Sequence, residues 1–114
     1  MTWGRRDGDS NNGWLYPDYP TMQAELASGY VAYAEAASNV TSQPVEIAPV
    51  GYGWQSVYES GANGQTSAPE AQARFNSLYA ADGSHPSIRG TYLAAAVFFE
   101  LLTQAPSHLS LIHI

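Results

Sequence analysis

A polar turn that runs directly into a long apolar segment constrains the fold of this chain most strongly. The turn is Asp82-Gly83-Ser84-His85-Pro86, and the apolar run extends from Thr91 to Leu102. Asp-Gly is a turn signal because glycine adopts positive φ without steric cost. Proline suits the first residue of a helix, since its φ is fixed and its missing N–H needs no partner there. The pattern predicts a helix from Pro86 to Thr103, too short in its apolar part to span a bilayer.

Three further segments carry helical patterns. The clearest runs from Thr21 to Ser38, with Asp18 or Thr21 as its N-cap and Asn39 as its terminator. A short helix is predicted from residue 55 to 60, and one or two turns from 70 to 77. The predicted buried faces are Met22, Leu26, Tyr30, Tyr33, Ala34 and Ala37 on the first helix, and Ile88, Tyr92, Ala95, Ala96, Phe99 and Leu102 on the last.

Two segments read as strands: Pro44 to Val50, and Met1 to Trp3 as the end of a preceding one. Helices alternating with strands favour an α/β protein with a mostly parallel sheet. One full and one partial strand cannot build such a sheet, so we expect residues 1–108 to be the last third to half of a doubly wound domain. Ligands in that architecture bind beyond the carboxyl ends of the strands, where the loops 3–9, 51–54 and 82–85 would converge.

Charge and composition exclude several classes of function. The net charge is −6, and the sequence has no lysine, which argues against binding to nucleic acids or to anionic membranes. The sequence has no cysteine, so disulfides and thiolate chemistry are excluded. A metal site is not expected, because two of the three histidines lie near the C-terminus, away from Asp82 and His85. No cofactor is predicted, and the sequence does not indicate a compartment.

Asp82 and His85 are the candidate catalytic pair. A carboxylate three residues before a histidine can accept from one ring N–H, which fixes the tautomer and leaves the other nitrogen free to take a proton from a nucleophile. A helix N-terminus beside His85 would favour the neutral imidazole that a general base needs. The alternative is a turn and a helix start in which both side chains serve only the local structure.

The segment DGSHPSIRGTYLAAAVFFELL closely resembles the last conserved block of the SGNH (GDSL-like) hydrolases. The upstream MTWGRRDGD and VEIAPVGYGW segments resemble a bacterial subgroup, so the likeness covers about residues 1 to 105. It implies a flavodoxin-like α/β/α fold in which Asp82 and His85 are the acid and base of a Ser-His-Asp triad. It also implies hydrolysis of a small-molecule ester or an acylated carbohydrate through an acyl-serine intermediate, without a cofactor.

The nucleophile and oxyanion blocks of that family are missing from this sequence. Gly8-Asp9-Ser10 spells the nucleophile motif, but it follows a polar loop rather than an apolar strand, so Ser10 is not expected to act. We therefore expect a fragment that supplies the Asp-His half of a triad and is inactive alone. The competing hypothesis is a non-catalytic α/β binding or assembly module in which Asp82 and His85 cap a helix.

Two tryptophans that follow predicted strand ends, Trp3 and Trp54, are candidates for lining an acyl or sugar pocket. Packing in the core or at its rim is the alternative for each. Arg5 and Arg6 are candidates either for holding a substrate carboxylate or for being solvated partners of Asp7 and Asp9, and we favour the second interpretation.

The last six residues, 109–114, resemble the translation of a transposase-recognition adapter used in sequencing libraries. We expect them to be non-native. Resequencing the locus tests this: a reading frame that continues differently after residue 108 supports it, and a stop codon directly after Ile114 contradicts it.

Overall fold

Four α-helices form the architecture of residues 1–104, the part of the chain that the computed structural model describes. They are α1 (Tyr19–Thr41), α2 (Val50–Glu59), α3 (Ala68–Asn76) and α4 (Ile88–Thr103), preceded by a short 3-10 helix at Ser10–Asn12. Helix α2 packs against α1, α3 and α4 and is the centre of the assembly. The segment 109–114 lies outside the described residues.

Side-chain caps explain where three of the helices begin. Asp18 accepts from the Thr21 N–H and confirms one of the two caps predicted for α1. Ser67 accepts from Glu70 at the start of α3, and Ser87 accepts from Gly90 at the start of α4. Helix α4 therefore begins two residues later than predicted, and neither Asp82 nor His85 is its cap.

The predicted parallel sheet is wrong for the described residues. The 42–49 segment is irregular and leads directly into α2, which begins several residues before the helix predicted there. Met1 donates its amino group to the Ala48 carbonyl and accepts from the Gly51 N–H, two contacts that do not amount to a ladder. The β-pairing within residues 1–104 consists of one isolated antiparallel bridge, between Tyr79 and Pro86. A strand needs a partner along its length, and the described residues offer these two segments none, so the α/β three-layer class is overturned.

The core is small and aromatic. Trp54 is fully buried, and Tyr19, Phe75 and Tyr79 are nearly so. Phe75 lies edge-on to both tyrosines, with ring centroids 4.6 Å and 5.3 Å away, a geometry that adds to the energy of burial. Val50, Leu78 and Val97 complete the buried cluster.

Helix α4 buries the opposite face to the one predicted. Gly90 and Val97 are buried, and Leu93 and Ala94 pack on the core. Ile88 and Tyr92, on the predicted face, are 90% and 77% exposed. The helix is apolar on nearly every side, so periodicity could not choose the face. The close approach at Gly90 chooses it: a Cβ there would lie 2.2 Å from the Leu78 carbonyl oxygen and 2.9 Å from the Trp54 ring.

Helix α1 touches the core only through its first turns. Tyr19 and Gln23 are buried and Ala34 and Ala37 are half-buried, whereas Tyr30 and Tyr33 are 37% and 80% exposed, so the predicted buried face is wrong at these two tyrosines. The chain extends over 44 × 31 × 25 Å, with a radius of gyration of 15.2 Å. A chain of this length closed around a single core measures about 13 Å, which agrees with α1 projecting beyond the cluster.

None of the helices in the described part of the chain has the length and apolar character needed to cross a lipid bilayer.

We expect Gly90→Ala to destabilise the fold by about 1–3 kcal/mol or more, because the added methyl group overlaps the Leu78 carbonyl and Trp54. The matched control is Gly29→Ala on α1, where an added Cβ meets nothing within 4 Å. That change should stabilise the protein by up to about 1 kcal/mol through helix propensity. Urea unfolding followed by circular dichroism measures both, and equal effects of the two changes would contradict the packing of α4.

Candidate functional site

The Asp82–His85 loop is closed at its base by a short antiparallel contact. The Ala80 N–H donates to the His85 carbonyl at 2.8 Å, and the Ser87 N–H donates to the Leu78 carbonyl at 2.9 Å. Gly83 adopts a φ of +68° at the tip, which a side chain would disfavour. The loop is therefore a rigid turn held between the end of α3 and the start of α4.

Within the loop, Asp82 and His85 form a hydrogen-bonded pair. The His85 Nδ1 lies 2.5 Å from one Asp82 carboxylate oxygen. The other oxygen accepts from the backbone N–H groups of Ser84 and His85, both at 2.9 Å. Because two backbone donors fix the carboxylate, it meets the imidazole in a single orientation. The structure thus brings together the two residues that the sequence predicted.

These contacts determine the charge state of the acid. The hydrogen bond from His85, followed by those from the two backbone N–H groups, holds the pKa of Asp82 well below its usual range. Asp82 is then ionised at neutral pH, so the proton of the short contact belongs to Nδ1. In the neutral imidazole the Nε2 atom is left as a free acceptor, which is the form that a general base requires.

The free side of the imidazole faces solvent. The side chain of His85 is 80% exposed and that of Asp82 is 49% exposed. Among residues 1–104, the hydrogen bonds include no hydroxyl donating to His85, and Ser10 is not brought to it. Asp9 instead uses its carboxylate to cap the 3-10 helix and to pair with Arg5 at 3.2 Å. The described residues therefore place no hydroxyl in hydrogen-bond contact with the His85 ring.

The N-terminal segment, residues 3–6, donates two hydrogen bonds to the backbone of the Asp82–His85 loop. The Trp3 indole N–H donates to the Ser84 carbonyl at 3.0 Å, and the Arg6 backbone N–H donates to the Gly83 carbonyl at 2.8 Å. The Arg6 guanidinium lies beside Gly83 and pairs with Asp7. The sequence did not predict these two hydrogen bonds, because their acceptors are backbone carbonyls, which every residue type has.

The buried side chain of Tyr79 holds the same N-terminal segment through a hydrogen bond. Its hydroxyl donates to the Gly4 carbonyl at 2.6 Å, and Gly4 in turn donates to the Gln23 side chain at 2.8 Å. Burial raises the pKa of Tyr79, so the hydroxyl keeps its proton. The sequence offered Tyr79 only as a core aromatic.

The two tryptophans predicted to bind substrate stack on each other. Their ring centroids lie 4.3 Å apart and their planes differ by 7°. Trp54 is fully buried and offers a substrate no surface in this structure, whereas Trp3 is half-buried. The structure places Trp3 beside the loop through its indole N–H. Substrate contact by Trp3 stays a prediction.

Within residues 1–104, no three histidine, aspartate or glutamate side chains gather closely enough to hold a metal ion.

Comparisons with protein-family models, with curated proteins and with solved structures find no significant match to this chain. The resemblance of residues 82–102 to SGNH hydrolases therefore stays a prediction from the sequence, and the all-helical architecture of the described residues does not share the α/β/α fold that it implies.

Asp82→Asn should switch the tautomer of His85. The asparagine oxygen can still accept from the two loop N–H groups, but its NH₂ would face Nδ1 and donate to it, which moves the ring proton to Nε2. Long-range ¹H–¹⁵N NMR at pH 9 should show Nδ1–H in the unmodified chain and Nε2–H in the variant. Glu35→Gln, on an exposed position of α1, is the control. An Nε2–H tautomer in the unmodified chain would contradict the pair.

The Asp82 interaction should stabilise the fold in a pH-dependent way. The pKa of Asp82 in the folded chain lies below its ordinary value near 4, so its contribution is fully present above about pH 4. It is lost as the pH falls through the depressed folded pKa. The free energies of unfolding of the unmodified chain and of Asp82→Asn should therefore differ at pH 7 and converge in strong acid, as measured by urea titration. A difference that grows as the pH falls below 4 would refute this sign.

Proposed function

We propose that the chain supplies the general base and its carboxylate partner for hydrolysis of a carboxylic ester, with the nucleophilic serine and the oxyanion donors coming from polypeptide outside these residues. The observation that carries the proposal is the 2.5 Å contact between His85 Nδ1 and an Asp82 carboxylate that two backbone N–H groups fix in place. The Asp-x-x-His spacing and its likeness to a hydrolase block support the reaction type.

The proposed reaction uses both ring nitrogens of His85. His85 Nε2 takes the proton of the serine hydroxyl as the serine oxygen attacks the ester carbonyl. Asp82 holds the Nδ1–H and stabilises the imidazolium that forms. The imidazolium then gives its proton to the leaving alkoxide, and an acyl-serine remains. In the second half, Nε2 takes a proton from water, the resulting hydroxide attacks the acyl carbonyl, and the serine is released with its proton restored.

An exposed base is compatible with a site whose nucleophilic serine comes from a different segment of polypeptide. A general base must lie within about 2.6–3.2 Å of the hydroxyl it deprotonates, and the His85 ring is 80% exposed and can be approached from solvent. Its carboxylate is already fixed by the loop before any nucleophile arrives. Ester substrates of small alcohols or of acylated carbohydrates would meet the base at this open face.

The test uses the polypeptide encoded by the complete reading frame that contains this sequence, assayed with p-nitrophenyl acetate and butyrate. We expect Asp82→Asn to lower kcat/KM by about 10⁴-fold and His85→Ala by about 10⁶-fold. Glu35→Gln should leave the rate unchanged.

Two results would overturn the proposal. Ester hydrolysis that survives His85→Ala would remove the histidine from the mechanism. No hydrolysis of either ester by the unmodified polypeptide, with its fold verified by circular dichroism, would remove the reaction.

A further inference from the structure

We infer that Trp3 is a positioning residue for the Asp82–His85 pair, acting through the Ser84 carbonyl rather than through substrate; this inference deepens the proposed function and rests on it. The contact is the hydrogen bond from the indole N–H to that carbonyl, 3.0 Å long and joining residues 81 positions apart. It is a side-chain bond from a distant part of the chain to the segment between the acid and the base.

The position of Ser84 explains why this contact can control the pair. Asp82 is held by the N–H of Ser84 and the N–H of His85. The Ser84 carbonyl belongs to the same peptide unit as the His85 N–H. A donor that fixes this carbonyl therefore also fixes the orientation of an N–H that binds the carboxylate, because a peptide unit is planar and rigid.

Trp3 is itself held firmly enough to do this. Its ring lies flat on Trp54, which is fully buried at the centre of the core. Next to it in the chain, Gly4 is tied to both Gln23 and Tyr79. The indole N–H is thus presented from the edge of the buried core, whereas the side chains of the pair are exposed.

The neighbouring Arg6 contact does not replace it. The Arg6 N–H binds the Gly83 carbonyl, one residue earlier, and that carbonyl shares its peptide unit with the Ser84 N–H. The two contacts therefore fix the two N–H groups of the carboxylate cradle separately, one from a side chain and one from the backbone. Only the Trp3 contact can be removed by a side-chain substitution.

The test begins with the 114-residue chain and needs no substrate. Trp3→Phe keeps an aromatic ring on Trp54 and deletes the N–H donor. Long-range ¹H–¹⁵N NMR at pH 9 should show the Nδ1–H tautomer of His85 losing population and its Nδ1–H proton broadening through exchange with water. Trp14→Phe, at a residue that is 82% exposed, should change neither. The His85 signals are assigned by their loss in His85→Ala.

A second variant separates positioning from packing. Replacement of Trp3 by benzothienylalanine retains the bicyclic ring and lacks only the N–H. The same tautomer change in both variants, with far-UV circular dichroism and urea midpoint retained in the second, supports the inference. An unchanged tautomer and Nδ1–H signal in the benzothienylalanine variant overturns it, whatever the outcome of the ester assay.

A kinetic experiment on the complete reading frame distinguishes positioning from substrate contact. Trp3→Phe should lower kcat by about 10-fold or more with KM unchanged. A misplaced base stabilises the transition state less well, whereas the binding of the substrate is not affected. An increase in KM with unchanged kcat would instead assign Trp3 to the substrate pocket and overturn the positioning role.

Discussion

The stacked pair of indoles formed by Trp3 and Trp54 is the interaction on which the rest of the structure depends. Trp54 lies on α2, the helix that contacts the other three, and its ring meets α4 where Gly90 allows the backbone to approach. Truncating a buried tryptophan typically costs about 3–5 kcal/mol, a large part of the stability of a small domain. The stack also connects this core to the N-terminal segment, and through it to the Asp82–His85 loop.

The same burial leaves polar atoms without partners. Among the described residues, the Trp54 indole N–H, the Tyr19 hydroxyl and the Gln23 amide nitrogen are buried without a hydrogen bond. Each such group costs roughly 1–3 kcal/mol. The two indoles therefore differ in their hydrogen bonding. The Trp54 N–H has no partner within the core, whereas the Trp3 N–H donates to the Ser84 carbonyl of the loop. That division explains why the same residue type, following similar patterns in the sequence, has two different roles.

Local signals predicted the helices well and the tertiary arrangement poorly. Asp18 could be identified as a cap because its short carboxylate satisfies an N–H that the helix leaves free. The segment 44–50 was predicted as a strand because Val45 and Ile47 alternate with polar residues, but alternation cannot supply the neighbouring strand that a sheet needs. The buried face of α4 could not be predicted either, since its apolar residues surround the axis and only the closeness of Leu78 to Gly90 decides the outcome. The resemblance to α/β hydrolases over residues 1 to 105 had the same limit, because similarity along the chain does not show which segments lie beside each other in space.

The candidate site follows a different rule, because its central contact is local. Asp82 and His85 are three residues apart, and an aspartate in this position readily accepts from the N–H groups two and three residues later. The sequence could therefore predict the pair, although it placed the start of α4 two residues too early. Ser87 caps α4, which frees the Asp82 carboxylate from the helix and leaves it to the imidazole. Had Asp82 capped the helix, its oxygens would have been occupied by α4 and His85 would have lost the group that fixes its tautomer. Asp82 instead binds within its own loop, to the N–H groups of Ser84 and His85 and to the imidazole.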